Sequence, residues 1–184
     1  MKLHWIASGL ILIANPSAQA QAPDPRAADA VQFFGAFCVS TAGTPTRALA
    51  VLADGNALAT RLPADVVRQA QGNREGGIGW AVRSPRDAEF MLDYDARGIC
   101  GLRLREADEL SVRHAFEAVI KGAAKGAGAE LTSEPASEEQ VNGTRTTYKA
   151  YSFPLGGRTA YLAVTTAERP IGAQQHFMTF GFVK

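Results

Sequence analysis

The stretch IGWAVRSPRDAEFMLDYDARGICGLRL, Ile78 to Leu104, decides the fold class. Apolar side chains recur at every second residue in three short runs: Ile78, Trp80 and Val82; Phe90, Leu92 and Tyr94; Cys100, Leu102 and Leu104. Period two sends successive side chains to opposite faces of a strand, so each run predicts a strand with one buried face. Asp95-Ala96-Arg97-Gly98 supplies the turn between the second and third strands, with Gly98 free to take a positive φ. Connections this short favour antiparallel pairing.

N-terminal to this sheet, Ala30, Phe33, Phe34, Phe37 and Cys38 fall at helical spacing and predict a helix over Asp29–Val39, preceded by a solvated, proline-bearing leader, Gln21–Arg26. Thr44-Pro45 reads as the start of a short helix with Ala48, Leu49, Val51 and Leu52 on its apolar side. Leu62-Pro63-Ala64-Asp65 opens a further helical turn or two carrying Val66 and Val67. On the C-terminal side, Val112, Phe116, Val119, Ile120 and Ala123 predict a helix from Asp108 to about Lys125. Glu130–Thr132 reads as a short edge strand and Ser133–Gln140 as a polar connector. Asn142-Gly143 signals a tight turn. Strands are expected at Thr144–Phe153, Arg158–Thr166 and Gln175–Val183, the first two joined by Pro154-Leu155-Gly156-Gly157. The resulting order, ααβββαβ(β)ββ, predicts an α+β protein with antiparallel sheet, N-terminal helices and a central helix. Helix-then-meander occurs twice in it, and two αβββ halves are one form such a fold could take.

The chain opens with Met1-Lys2-Leu3-His4, an apolar run from Trp5 to Ala14, Pro16, and a small-x-small ending at Ser17-Ala18-Gln19-Ala20. That pattern predicts a signal peptide over residues 1–20, cleaved after Ala20 or Ala22, and hence a periplasmic or secreted protein. The apolar run is too short for a permanent membrane anchor. A single globular domain is expected over residues 26–184. The net charge of the whole chain is only +1, which provides no bulk field for nucleic acid. In an oxidising compartment two cysteines, Cys38 and Cys100, read as one structural disulfide. There is no C-x-x-C to activate a thiol.

Candidate chemistry is sparse. His114 falls among charged residues on the outward side of its helix, and His176 alternates with Met178, Phe180 and Phe182 on an apolar strand face. Neither has a second ligand at metal-binding spacing, so no metal site is expected, and no nucleotide-binding or serine-nucleophile motif points to a cofactor or covalent catalysis. One constellation stands out. Arg83, Arg103 and Arg105 alternate out of phase with the apolar sets and should share the outer face of the first sheet, with Arg86 and Arg97 in adjoining turns. Guanidinium forks match carboxylates and phosphates, so such a face suits an anionic or protein partner. It equally suits a solvated surface with cross-strand pairs to Glu89 and Asp93.

At Phe34-Gly35-Ala36-Phe37-Cys38-Val39, Gly79-Trp80 and Gly98-Ile99-Cys100 the chain resembles a loose group of small exported proteobacterial proteins. These share an early aromatic-x-x-Cys helix, a tryptophan strand and a Gly-x-Cys strand. The resemblance covers roughly residues 30 to 105 and implies no activity. In architecture alone the chain is similar to secreted β-lactamase-inhibitory proteins, which repeat a helix-plus-antiparallel-sheet unit. Three readings follow: a binding or interaction protein of the inhibitor, immunity or envelope accessory type whose partner is a protein or envelope component, a hydrolase-type enzyme with a dispersed site drawn from His176, Asp93 and hydroxyl groups, or a structural envelope or stress component.

Overall fold

A computed structural model describes residues 22–183, so the expected signal peptide over residues 1–20 lies outside the described residues. The helices are α1 (Pro25–Phe34), continued by a π-helical turn (Gly35–Val39), α2 (Thr46–Val51), α3 (Ala64–Ala70) and α4 (Glu109–Gly126). The strands are β1 (Ala59–Arg61), β2 (Ile78–Arg83), β3 (Glu89–Tyr94), β4 (Cys100–Leu104), β5 (Thr132–Ser133), β6 (Ser137–Val141), β7 (Thr144–Leu155), β8 (Arg158–Ala167) and β9 (His176–Val183). All nine pair antiparallel in one sheet, in the order β1-β2-β3-β4-β9-β8-β7-β5, with β6 also on the β7 edge. This is an α+β fold. Two meanders, β2-β3-β4 and β7-β8-β9, join through their last strands, where Leu102 pairs with Met178.

Period two is obeyed across the sheet. Trp80, Val82, Phe90, Leu92, Leu102, Leu104, Met178 and Phe180 face α1 and α4 and are buried. Each such side chain stabilises the fold by about 1.5–3 kcal/mol through removal from water. Phe34 of α1 meets Phe116 of α4 with ring centroids 5.5 Å apart. Cys38 and Cys100 form a disulfide, Cα to Cα 5.4 Å, tying the π-helical turn to β4 across a sequence separation of 62. Loop-closure entropy assigns a bridge of this span about 4 kcal/mol. No helix among the described residues is long and apolar enough to cross a membrane.

Several boundaries differ from expectation, each for a local reason. The leader does not end at Arg26: Asp24 caps α1 by accepting from the Arg26 amide at 2.9 Å, and Pro25 takes the first turn. The other Asp24 oxygen accepts from the Asp108 amide at 2.9 Å, while the Asp24 amide donates to Ser111 Oγ at 3.0 Å. The two main helices are thus capped jointly, since Asp108 itself caps α4. In α2 only Ala48 is buried, with Leu52 behind it, whereas Leu49 and Val51 are exposed. The supposed connector before Asn142 is strand β6, paired from Ser137 to Val141 along β7. Strand β7 runs on through Pro154 and Leu155, so Gly156 and Gly157 alone make the hairpin turn.

Candidate functional site

Helices α1 and α4 cover one face of the sheet, and a cleft opens on the opposite one. Among the described residues α3 is the helix on that outer face, and it approaches closely because β2 has a glycine beneath it. A Cβ on Gly79 would lie 3.2 Å from Val67 of α3 and 3.0 Å from the Leu92 carbonyl oxygen. Beside α3 a cleft of about 950 Å³ opens on the sheet. Its floor is Ala81 of β2, Met91 of β3 and Arg103 of β4. Leu58, Leu62 and Val66 form one wall, and the Ile171–Gln174 segment borders the opposite side.

All three arginines singled out by alternation line this cleft. Arg83 and Arg105 stand at the rim, their side chains 67 % and 69 % exposed, and they share one carboxylate. Arg83 Nη2 donates to Glu89 Oε1 at 2.6 Å and Arg105 Nη1 to Glu89 Oε2 at 2.5 Å. The hydrogen bond from Arg105 is the largest influence on Glu89 and holds its carboxyl below the ordinary value. Arg103 differs: its side chain is only 16 % exposed, and its guanidinium lies 4.0 Å from the centroid of the Phe177 ring. The register of β4 against β9 explains this stacking, because Arg103 and Phe177 are direct cross-strand partners. Arg86 and Arg97 stay outside the cleft, pairing with Asp29 and Asp95 respectively.

Behind Arg103 lies a buried polar group. Asp93 Oδ1 accepts from Gln71 Nε2 at 2.9 Å, and Asp93 Oδ2 is 3.4 Å from Arg103 Nε. That second separation is too long or too poorly aligned for a hydrogen bond, leaving Oδ2 and Nε buried without a hydrogen-bond partner among the described residues. Burial pushes the Asp93 carboxyl up and the Arg103 guanidinium down, each partly opposed by the other's charge. Gly101 makes room for this arrangement: a Cβ there would lie 3.0 Å from Phe177 and 3.2 Å from Asp93 Oδ2. Both cross-strand pairings expected from the sequence, to Glu89 and to Asp93, are therefore present. Gln71 and Phe177 were not singled out, although Phe177 does alternate out of phase with His176, Met178 and Phe180.

His176 belongs to the other side of the sheet. It is 1 % exposed, with Nε2 3.0 Å from the Ala107 carbonyl oxygen, so Nε2 carries the proton. Burial pushes its pKa below the ordinary value. Asp93 is on β3 with its side chain on the outer face, so the sheet itself separates these two members of the dispersed acid–base set. His114 is exposed on α4. A further polar group, Glu109 with Thr166 Oγ1 at 3.0 Å and Arg145 Nη2 at 3.4 Å, anchors the start of α4 to β7 and β8.

What fold and site define together is a two-layer α+β protein with one sealed and one open sheet face, the open face bearing an arginine-lined cleft. No family model matches the chain, and no curated protein or solved structure matches it either.

Proposed function

We propose that the chain is an exported binding protein, periplasmic or secreted and akin to the small exported proteins it resembles, that holds a protein or envelope component on the open sheet face. The observation that carries this reading is the cleft, about 950 Å³ and apolar-walled, with arginines at one end. Sites for small molecules are concave and largely apolar with a few placed polar groups, and this volume falls within their usual range, enough to seat one group of a larger partner or a small envelope component. Arg83 and Arg105 share Glu89, Asp87 lies 3.8 Å from Arg83 Nε, and Arg103 faces Asp93, so the charges balance there. What suits an anionic group on the partner is the outward side of the Arg103 guanidinium, which no second carboxylate among the described residues occupies. A buried disulfide agrees with folding outside the cytoplasm.

The test has two arms. Cell fractionation of the expressed full chain should place it outside the cytoplasm, with no thiol reactive after unfolding without reductant; retention inside with two reactive thiols would overturn the export reading. In the second arm, Ala81→Arg fills the exposed floor of the cleft. Wild type should retain a component from envelope extract that this variant loses at unchanged melting temperature. Equal capture by both proteins would move the contact surface elsewhere.

A further inference from the structure

The chemistry of the cleft narrows what it holds, on the reading that the cleft is the binding site. Its two ends differ. Leu58 and Val66 are 48 % and 40 % exposed, and with Met91 they make an apolar wall that nothing among the described residues covers. At the other end the rim arginines are occupied by Glu89, while Arg103 is not matched in the same way. Its Nε edge is turned to Asp93, and its Nη groups donate to no described residue. Stacking on Phe177 holds the plane of the guanidinium, so its free fork is set before a ligand arrives. A preset fork presents two parallel donors, the geometry that a carboxylate accepts.

The size of the partner follows from shape. The exposed large apolar side chains, Leu49, Val51, Leu58, Val66, Leu110 and Val183, are all aliphatic; Leu58 and Val66 line the cleft, Leu49 and Val51 share α2, and Leu110 and Val183 belong to α4 and β9. A flat aromatic patch of the sort that anchors protein partners is absent among the described residues. Instead, α3, β1 and the Ile171–Gln174 segment enclose a concavity on the scale of a small molecule. We propose that this cleft takes a small amphiphilic acid, its single carboxylate on the Arg103 fork and its apolar body against Leu58, Val66 and Met91.

The experiment is an amide chemical-shift titration of the full chain with 4-phenylbutyrate and with its uncharged isostere 4-phenylbutyramide. The acid should shift the amides of Ala81, Met91 and Arg103, and bind at least about tenfold more tightly than the amide, the usual worth of a charge-assisted pair. Arg103→Gln should remove that preference, and Ala81→Phe, at an exposed floor position, should weaken both ligands alike. The second variant keeps the test decisive if the first unfolds. Equal affinity of acid and amide at these residues would overturn the anchoring role of Arg103 while leaving the cleft a ligand site. A preference that survives Arg103→Gln would overturn it in favour of the rim. If neither compound shifts the cleft amides, the small-acid proposal is wrong, and capture by wild type but not Ala81→Arg would still uphold the broader reading. An extended acidic peptide that bound more tightly than phenylbutyrate would reassign the cleft to a protein partner.

Discussion

On the inner face of the sheet Trp80, Leu92, Leu102, Met178 and Phe180 lie sealed beneath α1 and α4; on the outer face the same strands present Ala81, Met91, Arg103 and Phe177 to a cleft. Strand periodicity makes the two faces near-independent surfaces on one scaffold. The inner one pairs Trp80 Nε1 with the Leu52 carbonyl at 2.9 Å and leaves one buried polar atom, His176 Nδ1, without a hydrogen-bond partner among the described residues. The outer one leaves Gln71 Oε1, Asp93 Oδ2 and Arg103 Nε buried without hydrogen-bond partners among the described residues. Unpaired polar atoms of that kind cost stability, and three of the four found among the described residues stand beside the cleft.

The largest effect should come from the inner face. Trp80 is buried, meets Tyr94 edge-on at 6.2 Å between centroids, and carries the Arg61 guanidinium 4.6 Å from its ring centroid. Trp80→Ala empties that volume and frees the Leu52 carbonyl, so denaturant unfolding should show a loss of about 3–5 kcal/mol. Ligand binding to whatever folded fraction remains should be unchanged. Near-normal stability with lost binding would mean that the two faces are not separate in their roles.

An intermediate effect is expected behind the cleft. Asp93→Asn leaves a largely buried guanidinium without its counter-charge, and Arg103→Met leaves a buried carboxylate held by Gln71 alone. Each should destabilise by about 2–3 kcal/mol. The double variant Asp93→Asn/Arg103→Met removes both charges together, and it should recover most of that loss. A double-mutant cycle on chemical denaturation measures the coupling. Strictly additive losses would show that the pair does not act as a unit and that the outer face is ordered by α3 packing instead.

How much of this was legible in the sequence follows from the range of each interaction. Alternation in Ile78–Leu104 placed β2, β3 and β4, sorted their faces and put Arg83, Arg103 and Arg105 together. It failed where no apolar signal exists. Strand β1 is Ala59-Thr60-Arg61, with one buried residue, and exists because it extends the edge of β2. Strand β6, Ser-Glu-Glu-Gln-Val, has no buried side chain and forms because the Asn142-Gly143 turn zips it to β7. In α2 the helical spacing was present, yet Leu49 and Val51 found no neighbour to pack against. The cleft needed more than pattern. Gln71 reaches Asp93 across 22 residues, and Phe177 reaches Arg103 only through the β4–β9 register, neither of which local periodicity encodes.

The smallest expected effect returns to the inner face and to pH. His176 is packed among apolar side chains with Nε2–H donated to the Ala107 carbonyl and Nδ1 buried without a partner among the described residues. Desolvation disfavours the imidazolium and outweighs the hydrogen bond to Ala107 and the nearby charges of Glu109, Asp108 and Asp24, so the folded-state pKa lies below the ordinary 6.5 of the unfolded chain. Between those two values the unfolded chain binds more protons than the folded one. Stability therefore rises with pH through that window, is complete above the unfolded value, and falls as the solution is acidified. One proton sets a ceiling of about 1.4 kcal/mol per pH unit on the slope. His176→Gln retains a side-chain amide donor for Ala107 but cannot titrate, so its neutral-pH stability should change by about 1 kcal/mol while the acid-side slope from this site disappears. Urea melts of both proteins between about pH 5 and 7.5 provide the comparison. An unaltered slope in the variant would mean that His176 stays accessible to protons in the folded state, and the inner face would then be less sealed than its packing implies.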